Sequence, residues 1–343
     1  MNARPDSAGD HPLERKVAYL SRPGAFPERP TWVDVVETHR SWVFLTDDHA
    51  YKLKKAVRYN AVDFRPLAAR HAACLEELRL NRRLSEGVYL GAVPLTDEPG
   101  GALALDGTGP VVDWLIKMRR LPADRMLDAL IARHALDLAD LRRAATVLAR
   151  FYQRGPSVAI GADAYRGQFA RDIAINLRDL SPSVYGLPGS AIVATCAAQQ
   201  EFLEVEAAVL DRRVLAGHIR DGHGDLRPQH VCLEPTPVIY DCLEFDRSLR
   251  ILDPADELAF LALECERFGA PEVGPLVFET YATVTGDRPP ARLVDFYRAF
   301  RATLWARLAI WRTQELPPDR WSPWIARASQ YLTLAAGHGA RLS

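Results

Sequence analysis

The chain has 343 residues, 48% of them hydrophobic, enough to bury one large core or two modest ones. Its 43 basic residues against 44 acidic ones leave a formal net charge of −1, which excludes the general basic excess of proteins that hold nucleic acid or anionic membranes, so any anion site must be local. Five cysteines without a CxxC pair exclude a disulfide framework and a cysteine-built zinc site, and the lack of a long apolar run at the start or later predicts a cytoplasmic protein with no membrane partner.

Residues 1–30 are polar, carry several Pro and Gly without sustained periodicity, and are expected as a draped N-terminal extension. From Trp32 the pattern changes. Val33 to Val36, Trp42 to Leu45 and Ala50 to Lys54 are short β-rich runs separated by polar turns, which predicts an antiparallel meander. After Pro66, leucines 67, 75, 78 and 84 recur at helical spacing among Glu76, Glu77, Arg79, Arg82 and Arg83, predicting one helix packed on that meander. Two further strands follow, Val88–Leu95 and Pro110–Met118, joined by a glycine-rich turn around Gly100 and Gly101.

Beyond Arg119-Arg120-Leu121-Pro122 the composition turns helical. Met126, Leu127, Leu130, Leu138, Leu141 and Leu148 start a pattern that resumes over 169–180, 192–215 and 255–311. It is interrupted by Asp221-Gly222-His223-Gly224-Asp225-Leu226-Arg227-Pro228-Gln229-His230-Val231 and by Val238-Ile239-Tyr240-Asp241-Cys242, a hairpin that presents two carboxylates. The result is an expected N-terminal extension over 1–30, an N-lobe over 31–117 and a C-lobe over 118–343.

The chemistry of these residues points to phosphate. Lys52 and Lys54 stand two apart on a strand and share a face, where a cation can meet phosphate oxygens, and Glu77 or Glu76 could hold such a lysine from the helix. One of Asp225 and Asp241 can take or orient the proton of an attacking hydroxyl while the other holds Mg²⁺, which prefers oxygen donors. Asp256 reads as a helix cap, and Arg301, Arg307 and Arg312 with Trp305 and Trp311 as a packed helix with a solvated face.

His223-Gly224-Asp225-Leu226-Arg227-Pro228-Gln229-His230-Val231 is similar to the H-G-D-L-H-P-G-N-V/I loop of the aminoglycoside phosphotransferase and choline kinase families, and more distantly to the H-R-D-L-K-P-E-N loop of protein kinases. Ile239-Tyr240-Asp241-Cys242 resembles their metal-binding segment. The resemblance runs through nearly the whole chain, and Ala50-Tyr51-Lys52-Leu53-Lys54-Lys55 and Glu77-Leu78-Arg79-Leu80-Asn81-Arg82-Arg83-Leu84 look like a bacterial branch whose members sometimes carry a second, P-loop kinase domain. No G-x-x-x-x-G-K-[ST] occurs in this sequence.

The resemblance implies an α+β, bilobal protein-kinase-like fold, with a five-stranded antiparallel sheet and one helix in a small N-lobe and a larger, mainly helical C-lobe. It implies an ATP-dependent phosphotransferase acting on a hydroxyl of a small-molecule acceptor, with Mg²⁺, or Mn²⁺, as the metal. Lys52 would then meet the α/β-phosphates, Glu77 would pair with it, Asp225 would be the base, Arg227 would stabilise charge, and Asp241 would hold metal; Lys54 and Glu76 stay open as register alternatives. Lys117, Met118 and Arg119 would flank adenine, and Thr38 and Ser41 would touch phosphates from a loop without glycine. His230 stands where the family has a metal-binding asparagine: either it binds metal through a nitrogen, although imidazole prefers softer ions than Mg²⁺, or it hydrogen-bonds Asp225 while water completes the metal's shell. That departure motivates an alternative, a nucleotide-binding pseudokinase or regulator. A protein kinase is disfavoured because no D-F-G and no A-P-E follow.

Overall fold

The computed structural model describes residues 11–59 and 62–342. Two compact units arise, one running up to Ala123 and joined by Val238–Asp246, the other formed by Asp124–Pro237 and Arg247 onward.

The first unit is built on a six-stranded antiparallel sheet. Its strands are β1 (Asp34–Glu37), β2 (Ser41–Leu45), β3 (His49–Lys54), β6 (Tyr89–Glu98), β7 (Ala102–Leu105) and β8 (Val111–Arg119), in the order β1-β2-β3-β8-β6-β7. Between β3 and β6 come a small hairpin, β4 (Arg58–Tyr59) with β5 (Val62–Asp63), and helix α2 (Leu67–Asn81). The sixth strand, β7, corrects the expectation of five. Ala102-Leu103-Ala104-Leu105 lacks the β-branched residues that mark strands, but Gly100 and Gly101 both adopt positive φ and fold the chain back on β6, burying Leu103 and Leu105.

The N-terminal segment is a second correction. Residues 1–10 lie outside the described residues, but Leu13–Leu20 form helix α1, and Leu20, Ala25 and Phe26 enter the same core as Phe44, Tyr51, Leu53, Leu95 and Leu115. Leu20 and Phe26 each contribute about 1.5–3 kcal/mol by leaving water. Lys16 explains why composition hid this. It lies on the buried side of α1, donating to Asp113 Oδ2 at 2.8 Å and to the Val112 carbonyl at 3.1 Å, while Arg70 grips the same carboxylate at 2.7 and 3.1 Å.

The second unit is helical: α3 (Leu127–Ala132), α4 (Leu138–Arg154), α5 (Ala162–Leu180), α6 (Gly189–Val205), α7 (Ala207–Leu215), α8 (Pro254–Arg267), α9 (Val273–Thr285), α10 (Ala291–Thr313) and α11 (Ser322–Gly339). Phe169, Phe202, Phe296, Tyr297 and Phe300 form its aromatic centre, with Phe202 stacked on Phe296 at 4.5 Å. Helix α8 is buried without a break from Pro254 to Cys265, so its acids need partners inside. Asp253 caps it by accepting from Ala255 N at 2.9 Å, and Asp256, expected as the cap, instead takes Arg301 at 2.7 and 2.6 Å. Burial pushes the Asp256 carboxyl up, against the pull of that guanidinium.

Arg307, also buried, bonds Asp172 at 3.0 Å, so the arginines of α10 are not one solvated face: Arg312 has surface character, whereas Arg301 and Arg307 are interior ties. All five cysteines are buried, and none is in a disulfide. Among the described residues no helix is long and apolar enough to cross a membrane.

Candidate active site

The first unit assembles a cluster of five ionic side chains. Alternation along β3 turns Lys52 and Lys54 to one face and Tyr51 and Leu53 to the other. Helix α2 lays Glu77 under both lysines: Lys52 Nζ lies 2.9 Å from Oε1 and Lys54 Nζ 2.5 Å from Oε2. The neighbouring Glu76, 100° round the helix, is on the outer face and pairs with Arg79 at 2.6 Å. Lys52 also donates to Asp241 Oδ1 at 2.7 Å, and Lys54 to Glu244 Oε1 at 2.6 Å. Burial alone would depress the Lys52 ammonium, but Asp241, Glu77 and Glu244 overcome it and hold its pKa well above the ordinary value. Burial likewise opposes charge on Glu244, and the two lysines keep its carboxyl below the usual range.

Helix α2 also sets the backbone that carries Asp241. Asn81, one turn beyond Glu77, accepts from Cys242 N at 2.8 Å, and the Leu84 carbonyl accepts from Ile239 N at 3.3 Å. Asp241 N donates to the Tyr89 hydroxyl at 3.3 Å. Asp241 itself adopts φ 62°, a left-handed conformation that costs a non-glycine residue energy and that these anchors enforce. Sequence reasoning did not assign Asn81 or Tyr89; the i, i+4 spacing of Glu77 and Asn81 was the available signal.

Other expected residues of this unit are placed by the sheet, with Ser41 directly opposite Lys54. Thr38 closes the β1–β2 turn, its hydroxyl donating to the Ser41 carbonyl at 2.9 Å and accepting from Ser41 N at 3.0 Å. Lys117 is directly opposite Tyr51, so its side chain takes the face away from Lys52, near Glu28 at 3.7 Å and over the Tyr51 ring at 5.4 Å. Met118, opposite Ala50, is buried on the face of the lysines, and Arg119 N donates to the Val88 carbonyl at 2.9 Å.

In the second unit the loop bearing Asp225 rests on Glu257. That buried carboxylate of α8 accepts from the Tyr152 hydroxyl at 2.6 Å, from His223 N at 3.0 Å and from Gly224 N. Gly222 leaves room for it: a Cβ there would sit 2.6 Å from Glu257 Oε2. Gly224, at φ 87°, makes the turn into Asp225. In the sequence Glu257 is one of several acids downstream of the hairpin, with Asp246, Glu264 and Glu266, and only its burial against this loop distinguishes it.

Asp225 Oδ2 accepts from Arg227 Nη2 at 2.7 Å, and the Arg227 guanidinium lies 5.0 Å over the Trp305 ring. His230 Nδ1 is 2.8 Å from the Asp225 carbonyl, so that nitrogen carries the proton; Nε2 faces Arg227 Nη2 at 3.4 Å. The imidazole thereby fastens the loop. A donor of this kind fits a hard oxygen-seeking ion poorly, whereas the carboxylate of Asp241, 39% exposed, has the right chemistry for one. Among the described residues, no group of three or more His, Cys, Asp or Glu is gathered as a metal site.

No family model matches the sequence. An uncharacterised protein of Mycobacterium tuberculosis, Rv2004c, is 34% identical over 310 residues, covering 90% of this chain, which spans 60% of that relative's length. Among solved structures, a choline/ethanolamine kinase family protein from Mesorhizobium loti matches at TM-score 0.52 and 17% identity, covering 96% of this chain and 99% of its own. Choline kinase LicA from Streptococcus pneumoniae matches at TM-score 0.51 and 14% identity, covering 94% and 97%. The α+β fold of this chain is therefore the one that these two solved structures share.

Proposed function

We propose that the protein is an ATP-dependent phosphotransferase that moves the γ-phosphoryl group to a hydroxyl of a small-molecule acceptor. The observation that carries the reading is the Lys52–Glu77–Asp241 arrangement, a lysine with a buried carboxylate behind it and a strained, accessible carboxylate in front. Phosphoryl transfer needs little covalent help and is driven by positioning and by compensation of phosphate charge. Lys52 supplies that charge, oriented by Glu77. Asp241 would hold Mg²⁺, which when bound neutralises phosphate oxygens.

Asp225 acts as the base that orients the acceptor hydroxyl and takes its proton, with Arg227 on one of its oxygens adding positive charge. The two structural relatives named above are kinases of amino alcohols by name, which supports a small acceptor over a protein.

ATP consumption across a library of hydroxylated metabolites, with wild type and Asp225→Asn, tests this reading. Turnover of at least one acceptor by wild type, reduced about 100-fold or more in Asp225→Asn, is expected. Equal turnover by both proteins overturns the role of Asp225. The engagement of both His230 ring nitrogens, with the Asp225 carbonyl and Arg227, favours a second reading, a nucleotide-binding regulator. It predicts nucleotide-dependent thermal stabilisation with no acceptor phosphorylated.

A further inference from the structure

One lysine satisfies the reading above, yet the cluster holds two, and the second is the more deeply buried: the Lys54 side chain is 4% exposed against 15% for Lys52. A buried ammonium is costly unless its partners are in place, and Lys54 has two, Glu77 and Glu244. Two ammonium groups against three carboxylates leave the cluster one negative charge. Remove Lys54 and the excess becomes two, with Glu244 stripped of its partner. Lys52 is then the one remaining cation of the five, and Glu244 already acts on it electrostatically. It would be drawn toward the carboxylates and away from any incoming anion.

We propose that Lys54 is a positioning residue for nucleotide binding: by neutralising Glu244 and one oxygen of Glu77, it leaves Lys52 able to exchange its Asp241 contact for a phosphate oxygen and so releases Asp241 to a divalent cation. The inference rests on the phosphotransferase reading. Glu244 takes part as the carboxylate that Lys54 keeps occupied, and it fixes the segment just beyond Asp241 to β3.

The test is calorimetric titration of the full chain with ATP and Mg²⁺, for wild type, Lys54→Met, Glu244→Gln and Lys54→Met/Glu244→Gln, each checked as folded by circular dichroism at the titration temperature. Lys54→Met is expected to weaken binding about tenfold or more, and the double variant, which restores one excess negative charge, to return within about threefold of wild type. A merely structural lysine predicts a lower melting temperature but unchanged affinity in the folded protein. Folded Lys54→Met that binds as wild type does, or a double variant that binds no better than Lys54→Met, overturns the proposal.

If Lys54→Met does not fold, Glu244→Gln decides: it leaves two ammonium groups against two carboxylates and frees Lys52 further, so binding about threefold tighter or more supports the proposal, and unchanged or weaker binding overturns it. Wild type that binds no nucleotide overturns the phosphotransferase reading itself; every other adverse result removes Lys54 alone.

Discussion

Glu257→Gln probes whether the loop carrying Asp225 is held from beneath by a single carboxylate. Glu257 is 1% exposed and accepts three hydrogen bonds, from Tyr152, His223 N and Gly224 N. Glutamine keeps the shape but has one carbonyl oxygen, so its amide group must face at least one of these donors. A hydrogen bond to a charged group is worth about 1.5–3 kcal/mol, and a buried donor left without a partner costs about 1–3 kcal/mol. Allowing for relaxation, a net loss of about 2–4 kcal/mol follows. For a unit of this size each kcal/mol lowers Tm by about 2–4 °C, so a fall of about 5–15 °C is expected by calorimetry.

Tyr152→Phe, which deletes one donor and leaves the carboxylate, should cost about 1.5–3 kcal/mol. The activity signature is separate. Since the lysine cluster belongs to the other unit, Glu257→Gln should lower kcat without weakening nucleotide affinity. A Tm within about 1 °C of wild type would refute the assignment of Glu257 as the support of the loop.

Asp113→Asn leaves Lys16 and Arg70 buried without their shared carboxylate and should destabilise the first unit by about 3–5 kcal/mol, read by urea denaturation; a loss below about 1 kcal/mol would count against α1 being part of that core. Gly222→Ala should displace the Glu257 carboxylate and reproduce the Tm loss of Glu257→Gln, whereas an unchanged Tm would contradict the close approach there. A third expectation concerns acid. His338 lies between Glu266 at 3.1 Å and Asp295 at 2.8 Å. The hydrogen bond from His338 is the chief cause that holds Glu266 below its ordinary pKa, and for Asp295 the bonds from His338 and Arg341 outweigh the opposing effect of burial.

Carboxyls depressed in the folded state stabilise it above the unfolded value of about 4, and that stability is lost as pH falls through their folded values. Denaturation measured from about pH 6 to about pH 3 should show this loss, and His338→Leu should flatten it; an unaltered slope would exclude the linkage.

Much of this molecule could be read along the chain. Period-two alternation placed Lys52 and Lys54 on one face of a strand, leucine spacing placed a helix after Pro66, and the spacing from His223 to Asp241 marked the two carboxylates, because backbone periodicity and turn chemistry are local properties. Choices between neighbours were another matter. Glu76 and Glu77 are equivalent in composition and differ by 100° of helix rotation, so only the docking of α2 on the sheet sends one to the lysines and the other to water. Lys52 and Lys54 cannot be ranked by alternation, since they share a face, and packing makes both of them partners of Glu77.

Lys16 and Glu257 look like surface charges in the sequence, yet each is buried against partners 97 and 34 residues away. The sequence by itself determined which elements form and which chemical groups they carry. Tertiary structure alone decided which charges are desolvated and paired, because the free energy of a buried charge depends on the partner brought to it from elsewhere in the chain.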